Sequence, residues 1–105
     1  MRFSAEPPYV AVIFTSELVS DDPEYNLAAG RMALLAAEQP GFLGLESARS
    51  EEQGITISYW RNEADVKAWR AHPEHVEIRA LGREAWYKRY TLRVAVVQRE
   101  GHYER

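Results

Sequence analysis

No cysteine occurs among the 105 residues. Disulfides, thiolate nucleophiles and cysteine-ligated zinc are therefore excluded, and the cytoplasm is the expected location. No apolar run approaches the roughly 20 residues that a membrane span needs, so no membrane partner is expected. The opening MRFSAEPPYV has one early arginine but no apolar core or cleavage site, so no signal peptide is expected. Basic excess is missing too. Thirteen Lys and Arg against 16 Asp and Glu leave a formal charge of −3, which argues against nucleic acid, whose phosphates call for a basic patch. G-x-S-x-G, a Gly-rich phosphate loop and a Ser-His-Asp signature are all absent.

What remains is ordinary soluble composition, 46% hydrophobic and 28% charged. The length predicts one domain over 1–105, with irregular tails at 1–8 and 100–105. A domain of this size buries only about 60–70% of its unfolded surface, so a second subunit is a natural source of extra burial.

Tyr9 to Leu18 (YVAVIFTSEL) is rich in β-branched and aromatic residues and predicts a strand. It is apolar on both parities: Val10, Val12 and Phe14 on one, Tyr9, Ala11 and Ile13 on the other. Both faces then need cover. Asp22-Pro23 opens a helix to about Glu38, where Tyr25, Ala28, Met32, Leu35 and Ala36 form a stripe. Gly30 interrupts it, marking either close packing or room for a ligand. Gln39-Pro40-Gly41 ends this helix. Strands are expected at Phe42–Arg49 and Ile55–Trp60, joined by Glu51-Glu52-Gln53-Gly54.

Asn62 caps a second helix, and Pro73 breaks it, because the residue before a proline is pushed from helical geometry. The second segment is expected to end near Gly82, and Leu92–Arg99 to form the last strand. The order is β-α-β-β-α-β. That is the α+β, ferredoxin-like arrangement, an antiparallel four-stranded sheet with helices on one face. The opposite face predicts a homodimer pairing sheet to sheet.

The broken helix carries most of the candidate chemistry. On one continuous helix, Asp65, Trp69, His72, Val76, Arg79 and Arg83 would share a face, with His75 beside them. Trp69 is either core or the wall of a pocket for a planar aromatic, which arginine could hold by an acidic group. His72 and His75 are spaced for a metal, yet Pro73 lies between them and no third ligand is evident, so no metal is expected. His75 has the intrinsic pKa of a general base; the alternative is a solvated surface histidine. Trp86, Tyr87 and Tyr90 fit core or dimer interface, while Tyr59 or Tyr90 could hydrogen-bond a substrate. Ser16, late in the first strand, needs a polar partner if it points inward.

Pro40-Gly41-Phe42, Tyr59-Trp60 and Val66-x-x-Trp69-x-x-His72 stand in that order before a closing helix and strand. Over about Tyr9 to Arg99 the chain resembles the antibiotic biosynthesis monooxygenase domains, a family within the dimeric α+β barrels. The resemblance implies a homodimer closed through its sheets and a pocket between sheet and helices in each subunit. Members include oxygenases that oxidise phenolic or quinol substrates without a cofactor, and haem-degrading enzymes. A cofactor-independent monooxygenase acting on a small aromatic is therefore expected. Trp69, His75 and Arg79 would be its catalytic set, and Ser16, Tyr59, His72, Trp86 and Tyr90 its substrate contacts. A dimer that binds haem or an aromatic metabolite without turnover, or a haem-degrading monooxygenase, is the alternative. Of the haem-degrading residues only Trp69 matches; Ser16 stands in place of an asparagine, and Arg79 nearest the histidine.

Overall fold

The computed structural model describes residues 5–105. Its elements are β1 (Tyr9–Leu18), α1 (Pro23–Ala37), β2 (Phe42–Ser50), β3 (Gln53–Trp60), α2 (Glu63–Arg70) and α3 (Pro73–Leu81). A π-helical turn at Gly82–Trp86 leads into β4 (Tyr87–Val97). The four strands form one sheet in the order β2-β3-β1-β4, antiparallel at every junction. This is the ferredoxin-like α+β fold expected from the sequence.

Local chemistry sets the helix starts. The Asp22 carboxylate accepts from the Glu24 amide at 2.9 Å, with Pro23 in the first turn. The Asn62 side chain accepts from the Asp65 amide, also at 2.9 Å. Gly41 turns the chain into β2 with φ +82°, and a β-carbon there would fall 2.0 Å from an Asp65 carboxylate oxygen. Glycine is required on both counts. At the break, His72 is extended (ψ 128°) and its Nδ1 accepts from the Glu74 amide at 3.2 Å, capping α3.

Strand alternation sorts the sheet into two faces. Val10, Val12, Phe14, Ser16 and Leu18 of β1 face the helices. One core cluster joins Val10, Leu35, Ala36, Trp60, Val66 and Trp69; a second joins Leu18, Tyr25 and Trp86. Trp60, fully buried, lies against Trp69 with ring centroids 6.2 Å apart. The stripe on α1 supplies residues to both clusters, as its spacing predicted. Gly30 does not pack closely: a β-carbon there would meet nothing within 4 Å.

The last strand differs from its expected bounds. It starts at Tyr87, five residues before Leu92. Gly82, expected to end the helix, keeps helical angles (φ −59°, ψ −46°) and the coil widens into the π turn. Lys88 and Arg89 hide the strand's onset in the sequence, yet both pair with Glu17 on β1, Arg89 at 2.7 Å. Along the helix-side row of β4, Tyr90, Leu92, Val94 and Val96 lie opposite Ser16, Phe14, Val12 and Val10. The helices leave that row open, with 36% of Leu92 and 59% of Val96 exposed.

Candidate active site

The break at His72-Pro73 turns α3 so that His75, rather than Val76, meets Trp69. The imidazole and indole rings stack with centroids 4.4 Å apart and planes 11° from parallel. The Trp69 carbonyl lies 3.1 Å from His75 Nδ1. A carbonyl only accepts, so Nδ1 carries the hydrogen and Nε2 presents a lone pair. Burial, with Arg79, Arg70 and His72 adding like charge, lowers the His75 pKa from 6.5 to about 4. The ring is therefore neutral at physiological pH and able to accept a proton. His72 stands 5.7 Å from Trp69, its Nδ1 committed to the cap. Val76 is 44% exposed.

Arg79 lies one turn beyond His75. Its Nη2 donates to the Arg70 carbonyl at 3.1 Å, tying α3 back to α2. Its Nε is buried and meets no acceptor. Burial, then the Arg70 and Arg83 charges, lowers its pKa, although a guanidinium stays charged at neutral pH. Arg83, four residues on, reaches the Tyr90 hydroxyl at 3.4 Å.

A second constellation crosses the sheet. Arg49, Gly54, Ser16 and Tyr90 occupy one row over β2, β3, β1 and β4. Because Gly54 has no side chain, the Arg49 guanidinium lies flat over β3, where a β-carbon would stand 2.3 Å from it. Arg49 donates to Ser16 Oγ at 3.3 Å and to the Tyr25 hydroxyl at 3.0 Å. Phe14, Tyr87 and Tyr90 pack around this end with centroids 5.2–5.5 Å apart. Burial first, then the Tyr25 hydroxyl, pushes the Tyr87 phenol above its usual pKa.

The structure thus brings Trp69, His75 and Arg79 together with His72 at their margin. Ser16, Trp86 and Tyr90 belong to the other end of the helix-sheet interface. Tyr59 lies on the opposite sheet face, its ring edge-on to Tyr9 at 5.8 Å and its hydroxyl donating to Glu46 at 2.5 Å. Both phenols there are pushed up to about 12, Tyr9 chiefly by its hydrogen bond to Glu100 and Tyr59 by burial. Sequence reading missed Arg49, Tyr25 and Arg70. The hairpin register that sets Arg49 opposite a glycine was the available signal for the first. Among the described residues, no group of three or more His, Cys, Asp or Glu could hold a metal ion, and no helix is long and apolar enough to cross a membrane.

Known proteins share this frame. The uncharacterised protein YqjZ of Bacillus subtilis is 49% identical over 96 residues, covering 90% of this chain and 84% of its own. A variant of SnoaB, a cofactor-independent oxygenase from Streptomyces nogalater, superposes with a TM-score of 0.78 at 15% identity. That match covers 90% of this chain and 97% of SnoaB. Protein SO0527 from Shewanella oneidensis gives 0.77 at 7% identity, over 91% and 97% of the two chains. The antibiotic biosynthesis monooxygenase profile matches residues 22–81, from the cap of α1 to the last residue of α3. With the β2–β3 hairpin and the Trp69-bearing broken helix inside that span, and a relative 49% identical over 90% of this chain, this chain belongs to the antibiotic biosynthesis monooxygenase family.

Proposed function

We propose that the protein is a cofactor-independent monooxygenase that oxidises a small phenolic or quinol-like aromatic with molecular oxygen. The observation that carries this reading is the Trp69–His75 stack, whose tether to the Trp69 carbonyl leaves Nε2 free as an acceptor. Family membership and the fold shared with the oxygenase SnoaB support it. A planar substrate lies beside the stack, over the open β4 row of Leu92 and Val94, with its hydroxyl toward His75 and Arg79.

A base of low pKa is poorly matched to an ordinary phenol, whose pKa is near 10. Arg79 narrows that gap, since a cation beside the hydroxyl favours the phenolate. The phenolate then gives one electron to oxygen, and the two radicals combine at the ring carbon para to the hydroxyl. Loss of water from the hydroperoxide leaves a quinone. One oxygen atom enters the product, the other leaves as water, and all four electrons come from the substrate. The protein supplies the base, the cation and exclusion of water.

Haem fits poorly as a resident group. Ser16, which takes the asparagine's place, is tied to Arg49 at the far end of the interface, and Arg79 stands nearest the histidine position. The chain works as a cytoplasmic homodimer closed through the open sheet face. Ile13, Ile55, Ile57 and Ala95 on that face supply its apolar centre. Turnover under ¹⁸O₂ tests the chemistry. A quinone carrying one labelled oxygen is expected; label from water alone sinks the reading.

A further inference from the structure

The molecule carries three acidic charges in excess, yet three arginines gather at its candidate site without an acid. Arg70 ends α2, Arg79 lies on α3 and Arg83 on the π turn. Arg79 Nη2 meets the Arg70 carbonyl at 3.1 Å, and Arg83 Nη1 meets the Tyr90 hydroxyl at 3.4 Å. Among the described residues, the ion pairs of lysine and arginine join Arg31 to Glu74, Arg61 to Asp65, and Lys88 and Arg89 to Glu17; none uses these three arginines. One nitrogen, Arg79 Nε, is buried with no acceptor at all. Leaving a buried donor unmade and three like charges together both cost stability. An oxyanion group seated there would remove both costs at once, accepting in the forked geometry that guanidinium favours.

We propose that Arg70, Arg79 and Arg83 form an oxyanion subsite that selects an aromatic acid, with a carboxylate or phosphate beside the ring held against Trp69 and His75. The inference rests on the substrate site proposed above and adds a permanent negative charge to its occupant. Tyr90 stands at the rim, its hydroxyl already oriented by Arg83.

Calorimetric titration with 1-hydroxy-2-naphthoate, its methyl ester and 1-naphthyl phosphate tests it without requiring turnover. Arg70→Gln and Arg83→Gln serve as variants, because both side chains are exposed. Arg79→Gln would also loosen the α2–α3 tie. Expected is binding of the acid about tenfold or more tighter than the ester, with the preference shrinking severalfold in each variant. Tighter binding of the naphthoate than the phosphate marks a carboxylate site, and the reverse a phosphate site. Equal affinity for acid and ester overturns the subsite, as does a preference untouched by both substitutions or a failure of every probe to bind. Acid preference without oxygen consumption would sink the oxidation reading and leave the subsite standing. Oxygen consumption with no acid preference would do the opposite.

Discussion

At the scale of single residues, the proposed chemistry turns on His75. Its neighbours are Trp69 and Arg70 from α2, His72 at the break and Arg79 on its own helix. In the unfolded chain the imidazole titrates near 6.5, and in the fold near 4. The unfolded state therefore takes up the proton first. The stability linked to neutral His75 is complete above pH 6.5 and drains away as pH falls toward 4. Denaturant midpoints from pH 7 to pH 4 should fall more steeply for the wild type than for His75→Gln; parallel curves would mean that the ring is solvated. Glycines sort by what surrounds them. Gly30→Ala meets open space and should stabilise by about 0.5–1 kcal/mol in urea unfolding, a gain that steric strain would cancel. Gly54→Ala should displace Arg49. Arg49→Ala then costs about 1 kcal/mol in the native background and close to nothing in Gly54→Ala; additive costs would show that the arm does not depend on the missing side chain.

At the scale of elements, the sequence was most legible where one local rule acts alone. Caps at Asp22 and Asn62, the β-branched run of β1 and the stop at Pro40-Gly41 each name their element. The Asn62 cap has a measurable weight: Asn62→Ala should cost about 1 kcal/mol in thermal unfolding, and no change would mean that water replaces it. Legibility failed where partners lie far off in the chain. The start of β4 shows charged residues whose Glu17 partner stands some seventy positions earlier. The π turn follows from Gly82 making room for the Tyr87 ring, where a β-carbon would approach within 2.6 Å. Nothing local in GREAW announces that contact. Trp69, His75 and Arg79 stood out by residue type, but their meeting depends on the angle between α2 and α3. A helical projection through Pro73 put Val76 where His75 stands.

At the scale of the whole molecule, helices cover one side of the sheet, and among the described residues no helix lies on the other. Sedimentation velocity at micromolar concentration should show a dimer, and Ile57→Glu, which sets a charge amid that apolar face, should yield single chains with unchanged helix content. A wild type sedimenting as one chain would refute sheet-to-sheet pairing. The broken helix stands on the far side of the same sheet, so the proposed pairing and the proposed chemistry would use opposite faces. On the helix side, Leu92, Val94 and Val96 of β4 stay exposed. The most direct test of oxidation there is oxygen uptake by chelator-treated protein with a panel of phenols and quinols. The expected result is uptake that needs protein and substrate but no added cofactor, falling about a hundredfold or more in His75→Ala and sharply in Trp69→Ala. Uptake unchanged by both substitutions, or absent with every substrate, would contradict it.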